Sequence, residues 1–278
     1  MWKKILFWVL AVIITLATAV YQRMTGPTYP KSYSFEYQNK DYKFQLPRSQ
    51  NGIDDALISL EIDNATINGK IFYRRFKSGS EMDTIHFHRE NNQLVAWLPK
   101  QPAAGKLEYG LILENENKEQ LFETPENIVI RFKDNVPAFV LIPHILLIFA
   151  AMLLSNLTGF YAISRINSYK FYALLTLLLF LTGGMIMGPV VQKYAFDAYW
   201  TGFPFGKDLT DNKALIAFIL WIIAWLGNRK KDRAYLVIIA AIANLVIAFI
   251  PHSLRGSELD YSSGEIKTGI IYLVSWLN

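Results

Sequence analysis

The chain has 278 residues, enough for about one or two domains of ~100–200 residues. Hydrophobic residues make up 52%, aromatics 14% and charged residues 18%. An ordinary soluble domain carries about 25% charge, so this composition excludes an intrinsically disordered chain and argues against a wholly soluble one. Lys and Arg number 28 against 23 Asp and Glu, a formal +5. Cysteine is absent, which excludes a disulfide framework, Cys-based zinc or iron–sulfur sites, covalent haem attachment and a lipid-modified N-terminal Cys.

The first apolar segment, residues 5–20, follows Met1-Trp2-Lys3-Lys4 and runs through Ala17-Thr18-Ala19. A basic start, an apolar stretch and small residues at its end describe a secretory signal; an uncleaved anchor fits them equally, and the length of the stretch favours the anchor. Both readings send the following residues outward. Gly26, Pro27 and Pro30 then form a short stiff spacer.

Residues 23–135 change to a period of two. Ile58, Leu60 and Ile62 alternate with Ser59 and Glu61. Leu94, Ala96 and Leu98 interleave with Val95 and Trp97, and Leu107, Tyr109, Leu111 and Leu113 with Glu108 and Gly110. Ile128, Ile130 and Phe132 close the series. Alternation means that one face packs while the other is wet. Turn signals separate the runs at Asn51-Gly52, Asn68-Gly69, Ser78-Gly79, Asn91-Asn92 and Ala104-Gly105. Roughly seven to nine short strands at such spacing predict a β-sandwich. His86-Phe87-His88 puts two imidazoles on one strand face, a geometry that holds zinc only with further ligands; none is visible, and a solvated face is the simpler reading.

The stretches Gly69-Lys-Ile-Phe-Tyr-Arg-Arg75, Leu94-Val-Ala-Trp-Leu-Pro99 and Pro102-Ala-Ala-Gly-Lys-Leu-Glu-Tyr109 resemble the central strands of fibronectin type III-like and immunoglobulin-like domains. That resemblance implies a fold and almost nothing about function, since the fold hosts many. Gln192-Lys-Tyr-Ala-Phe196, Trp200-Thr-Gly-Phe-Pro-Phe-Gly206 and Asp208-Leu-Thr-Asp-Asn-Lys213 resemble a group of uncharacterised bacterial inner-membrane proteins, which supplies no activity to carry over.

Four further apolar segments follow, at about 136–154, 171–192, 214–227 and 234–251. A bilayer core of ~30 Å needs roughly 20 apolar helical residues, so the chain reads as five spans. Lys and Arg stay on the cytoplasmic side of short loops. Arg229, Lys230, Lys231 and Arg233 between the fourth and fifth spans, Arg165 and Lys170 between the second and third, and Lys3 and Lys4 at the start agree on one topology. The N-terminus is inside, the C-terminus outside. The expected fold is thus an α+β membrane protein. An extracytoplasmic sandwich (23–135) sits between an anchor or signal (1–22) and a four-helix bundle (136–251), with a tail at 252–278. In that tail Ile270, Leu273, Val274 and Leu277 have helical spacing and predict an interfacial helix.

The outer loop, residues 193–213, is crowded with Tyr194, Phe196, Tyr199, Trp200, Phe203 and Phe205. An aromatic belt at the headgroup level is the plain reading. The sharper one is a ligand pocket in which Asp197, Trp200, Lys207, Asp208, Asp211 and Asn212 hold a polar headgroup, a sugar or a cation. Asp211 or Thr210 also suits the cap of the fourth helix. His144 in the second span and His252 at the end of the fifth are intramembrane candidates for a haem b or a metal. Gly184 and Gly188 form a small-xxx-small helix-packing pattern for contacts within the chain or a homo-oligomer, and Asn244 is placed to bond across to a neighbouring helix.

Phosphate-loop, Gly-x-Ser-x-Gly and His-Glu-x-x-His motifs are missing, and basic residues collect on the cytoplasmic loops, which removes the case for nucleic acid. Three functions remain. The first is a non-enzymatic accessory or scaffolding component whose partners are the lipid bilayer and a membrane or envelope protein. The second is a haem- or metal-binding electron-transfer subunit. The third is a lipid- or glycan-processing enzyme working through Asp197, Asp208 and Asp211.

Overall fold

The computed structural model describes residues 2–251, 257–264, 266 and 267. They fall into two compact units, one mostly helical (residues 2–27, 136–251, Ser257 and Lys267) and one of strands (residues 28–135, 258–264 and 266).

The helical unit comprises α1 (Trp2–Thr25), α2 (Ala138–Ile163), α3 (Tyr169–Leu179), a π-helical stretch (Phe180–Met187), α4 (Gly188–Phe196), α5 (Leu209–Gly227) and α6 (Ala234–Ala248). Because α3, the π-helical stretch and α4 run on as one rod of 28 residues, four helical rods among the described residues are long and apolar enough to cross a membrane. The fifth, α6, has 15 residues, about 22 Å at 1.5 Å per residue.

The helical unit is apolar on its outer face as well as inside. Its exposed side chains are large and apolar: Ile5, Val9, Val12 and Leu16 on α1; Phe139, Ile142, Leu146 and Phe149 on α2; Ile216, Ile219, Ile223 and Leu226 on α5. Its buried positions mix large side chains, Leu157, Tyr161, Phe180 and Trp221, with small or polar ones: Ala151, Ser155, Thr158 and Gly159 on α2; Ala240, Ala241 and Asn244 on α6. Small residues let helix backbones approach, and polar ones bond across the seam. Gly159 shows the approach directly, since a Cβ there would lie 2.8 Å from Ala241 Cβ.

Buried polar residues explain why α2 continues nine residues past the end expected at 154. Ser155, Asn156 and Thr158 lower the hydropathy, but each faces a neighbouring helix. Asn156 Nδ2 donates to Thr15 Oγ1 (3.1 Å), Asn244 Nδ2 donates to Ser155 Oγ (3.0 Å), and Thr158 Oγ1 lies 3.4 Å from Thr176 Oγ1. Phe7 stacks on Phe160 at 5.5 Å and fastens α1 to the far end of α2. In the third rod the backbone ladder widens where it is already interrupted. Pro189, at the start of α4, has no N–H to give, and the Gly188 N–H bonds the Gly183 carbonyl five residues back.

The strand unit contains β1 (Lys31–Tyr37), β2 (Lys40–Leu46), β3 (Ser49–Asn51), β4 (Ala56–Glu61), β5 (Asn68–Arg75), β6 (Asp83–His86), β7 (His88–Glu90), β8 (Gln93–Leu98), β9 (Lys106–Glu114), β10 (Gln120–Glu123) and β11 (Ile128–Lys133). A short pair, β12 (Glu258–Leu259) and β13 (Ile266–Lys267), follows late in the chain. One sheet has the order β3-β11-β9-β5-β6, with β10 also on β9; another has β4-β8-β7; β1 and β2 form a hairpin. All neighbours are antiparallel except β3 and β11, which run parallel. Alternate residues of both larger sheets and the hairpin fill one core: Phe44, Ile58, Leu60, Ile71, Leu94, Leu98, Tyr109, Leu111, Ile130 and Phe132. Burying a side chain of this kind contributes about 1.5–3 kcal/mol, so the period of two is the main source of the unit's stability.

Four of the five turn signals mark connections. Gly52 and Gly79 have φ of +90° and +67°, and Asn91 and Ala104 also lie in the left-handed region. Asn68-Gly69 does not turn; it opens β5. A Cβ at Gly69 would stand 2.6 Å from the Ile112 carbonyl oxygen, so the glycine serves close approach to β9. Phe87 is where the chain leaves the β5–β6 pair for β8. Its ring is buried, its N–H bonds the Gly69 carbonyl at 3.0 Å, and His86 and His88 on either side are exposed.

Residues 258–264 and 266, expected in a tail separate from the sandwich, join the strand unit. The Leu259 N–H donates to the Ala104 carbonyl (3.1 Å). The Glu258 carboxylate lies 3.1 Å from Lys77 Nζ and 2.8 Å from Lys106 Nζ. The Tyr261 hydroxyl donates to Gln101 Oε1 (3.0 Å) and accepts from the Lys106 N–H (3.0 Å), while the Arg75 guanidinium sits 4.7 Å from its ring centroid. The strand unit is therefore closed by chain from both sides of the four-helix segment. His252 and residues 268–278, including the expected interfacial helix, lie outside the described residues.

Candidate functional site

The most elaborate polar cluster lies where α4 ends and α5 begins. Asp208 is the N-cap of α5: its Oδ1 accepts from the Thr210 N–H at 2.8 Å. Sequence reading placed the cap on Asp211 or Thr210. The cap is one turn earlier because α5 starts at Leu209, before its apolar run. Asp208 Oδ2 accepts from the Ser257 N–H (3.1 Å) and hydroxyl (3.2 Å). Asp211 Oδ2 accepts from the Thr201 N–H (2.7 Å) and hydroxyl (3.2 Å), and Gln192 Nε2 donates to Thr201 Oγ1. Asn212 Oδ1 accepts from the Phe203 N–H (2.7 Å). Lys213 Nζ turns to the end of α6 and donates to the Ile250 carbonyl (2.7 Å), which suits a cation at a helix C-terminus. Asp208, Asp211, Thr201, Gln192, Lys213 and Ser257 are all buried.

Gly202 makes this arrangement possible: a Cβ there would stand 2.7 Å from Asp211 Cβ and 2.9 Å from Asn212 Oδ1. Asp208, Asp211 and Asn212 are thus brought together, and each fastens the loop to the start of α5. Asp197 lies apart. It caps α4 with φ of +58° and pairs with Lys193 one turn back. Trp200 Nε1 donates to the Phe203 carbonyl (3.0 Å), and Lys207 is exposed. The Tyr199, Phe203 and Phe205 rings point away from the cluster, exposed at 61%, 68% and 84%.

His144 sits on α2 with Nδ1 2.9 Å from the Gly183 carbonyl oxygen of the π-helical stretch. Donation from Nδ1 fixes the tautomer and leaves the lone pair on Nε2. Among the described residues no group of three or more His, Asp or Glu side chains is arranged to hold a metal ion. In the small-residue pattern, Gly184 and Gly188 have only ordinary contacts beyond 3.7 Å. Gly183 is the tight position, where a Cβ would meet Leu147 Cβ at 2.8 Å. Asn244 does bond across a seam, to Ser155.

One polar centre escaped sequence reading. Asn228 follows α5 in the basic loop and is buried. Its Nδ2 donates to the Ala224 carbonyl (2.8 Å) and the Arg233 carbonyl (3.1 Å); its Oδ1 accepts from the Arg233 N–H (2.8 Å) and the Tyr169 hydroxyl (2.9 Å). Tyr169 also bonds Asp232. Arg229, Lys230 and Lys231 meanwhile stay exposed. Their density hid the Asn beside them, whose only sequence signal is its place just after a helix. No protein-family model matches the chain, and no curated protein matches it either.

Proposed function

We propose that this chain is a non-enzymatic, multi-pass inner-membrane protein that holds an immunoglobulin-like β-sandwich at the extracytoplasmic surface as a scaffold for a membrane or envelope partner. The observation that carries the membrane reading is the outer face of the helical unit, which carries large apolar side chains while Ser155, Asn156, Thr158 and Asn244 lie buried inside. A water-soluble bundle has the opposite pattern. The exposed Arg229, Lys230 and Lys231 between α5 and α6 support a cytoplasmic loop there. The 193–208 loop and the strand unit then fall on the far side.

The sandwich reading draws support from the strand order. A sheet of β4-β8-β7 shares one core with a sheet of β5, β6, β9 and β11, whose edge strand β3 runs parallel; two antiparallel-paired sheets over one core are the immunoglobulin plan. Scaffolding is favoured over catalysis because the carboxylates proposed for chemistry, Asp208 and Asp211, each accept N–H and hydroxyl donors that pin a loop. A partner surface is supported by Leu57 and Trp97, directly opposite on β4 and β8 and about half exposed. Copurification from mild detergent tests the reading. A stoichiometric partner should be recovered with the native chain and lost from the Leu57→Ser/Trp97→Ser double variant. Recovery of the bare chain from both would contradict it.

A haem or metal reading keeps one specific support, the His144 Nδ1–Gly183 bond, which leaves Nε2 free as a ligand. An optical spectrum and metal analysis of the purified chain decide it. A Soret band or bound metal lost in His144→Leu would establish it, and their absence would end it.

A further inference from the structure

We infer that the hairpin between α4 and α5 is a lipid-inserted element, with Phe203 and Phe205 seated at the boundary between headgroups and acyl chains. This rests on the reading that α4 and α5 belong to membrane-crossing rods, and it adds the loop's occupant: the bilayer itself rather than a soluble ligand.

Two independent observations meet at the tip. The first is exposure. Phe205 is 84% exposed and Phe203 68%, whereas Thr201, Gly202 and Asp208 just behind them are buried. The loop puts its aromatic rings outward and its hydroxyl and carboxylate inward, the reverse of a loop built for water.

The second is backbone accounting. Non-helical backbone enters a water-poor layer only when its polar groups are satisfied within the protein. At the tip, the Phe203 N–H bonds Asn212 Oδ1, the Phe205 and Gly206 N–H groups bond the Gly202 carbonyl at 2.9 and 2.8 Å, and Pro204 has no N–H. Every backbone donor from 203 to 206 is therefore bonded or missing. The carbonyl of Phe203 accepts the Trp200 indole N–H, which turns the polar edge of that ring inward. Asp211 and Asn212, one helical turn from the cap of α5, supply the bonds that let the segment leave water. The lipid is reached without a long linker, because both ends of the loop are ends of apolar rods.

The chain has no cysteine, so single-cysteine variants carry a fluorescent label at one defined place. The full chain in lipid nanodiscs would be labelled at Phe203→Cys, Phe205→Cys, Ile219→Cys (exposed on α5) and Glu81→Cys (exposed in the strand unit). Each would be read with a nitroxide lipid and with aqueous iodide. The expected result is loss of emission with nitroxide lipid at 203, 205 and 219, with iodide quenching only at 81. Labels at 203 and 205 that behave like 81, while 219 is quenched by lipid, would overturn the inference and leave the membrane reading standing. Labels at 203 and 205 shielded from both quenchers would mean that protein covers the tip, and would overturn it too. A label at 219 insensitive to lipid would remove the membrane reading, and the inference with it.

Discussion

His144 and Gly183 hold the second and third rods together by a bond from a ring nitrogen to a main-chain oxygen, Nδ1 to O at 2.9 Å. The oxygen it uses also accepts the Gly188 N–H across the widened π-helical turn. A histidine among apolar residues thus has a structural partner, and the carbonyl it serves belongs to the one stretch where the helical ladder changes register.

Replacing His144 by Leu removes that donor and leaves the carbonyl with Gly188 alone. Interhelical hydrogen bonds of this type contribute about 0.6 kcal/mol on average and about 1.7 at most, so a loss in that range is expected from reversible unfolding in mixed micelles. Unchanged stability would show that the bond contributes nothing.

Neighbouring glycines should answer differently. Gly183→Ala drives a methyl to 2.8 Å from Leu147 Cβ, while Gly184→Ala meets nothing nearer than 3.8 Å. Overpacking costs about 1–3 kcal/mol, so Gly183→Ala should lower stability by that amount. Gly184→Ala should be neutral, or stabilising by up to ~1 kcal/mol through helix propensity. Thermal unfolding of the two variants side by side gives the comparison, and equal effects would refute the assignment of the close contact.

Asp208→Ala should cost about 0.5–2 kcal/mol, the ordinary value of an N-cap, and Asp208→Ser should recover most of it. Asp208 also receives the Ser257 N–H. The Ala variant should therefore free both the start of α5 and Ser257, seen as faster amide exchange at Thr210 and Ser257 together. Protection lost at one and kept at the other would contradict the shared anchor.

The clasp at Glu258 should depend on pH. Burial by itself raises its carboxyl, but the hydrogen bonds and charges of Lys106 and Lys77 outweigh that and hold it below its ordinary value. Lys106, buried more deeply, is itself pushed below its ordinary value by desolvation; with two cations, Glu258 is the partner that gains. A folded value below the unfolded one means that the stabilisation is complete above about pH 4.3 and is lost as pH falls through the folded value. Glu258→Gln should accelerate exchange of the Leu259 amide, bonded to Ala104, at neutral pH. The difference from the native chain should close as pH falls through the lowered value of Glu258, once intrinsic rates are corrected. A difference that persists in acid would place the effect elsewhere.

The sequence made the strands legible wherever one face was dry. Ile58-Leu60-Ile62 and Leu107-Tyr109-Leu111-Leu113 fall in the core as their alternation requires, because a period of two has only two faces to choose from. Helix existence was equally plain, but helix ends were not. Hydropathy treats Ser155, Asn156 and Thr158 as the edge of the lipid, whereas their bonds to α1, α3 and α6 make them interior. At the loop, the residue types of the cluster were visible but not their direction. Asp208 and Asp211 read as ligands until Thr201 and Ser257, 10 and 49 residues from their partners, are seen to use them. The return of Glu258 and Tyr261 to Lys106 spans more than 150 residues, a separation at which no local pattern carries information.

The proposed topology puts residues 28–135 and the Arg229–Lys231 loop on opposite sides of a membrane. Single cysteines at Glu81→Cys and Lys231→Cys, both exposed, test it when intact cells with a permeabilised outer layer are treated with a membrane-impermeant maleimide. The account predicts labelling at 81 before the inner membrane is lysed and at 231 only afterwards. Labelling of both before lysis, of neither, or in the opposite order would contradict it.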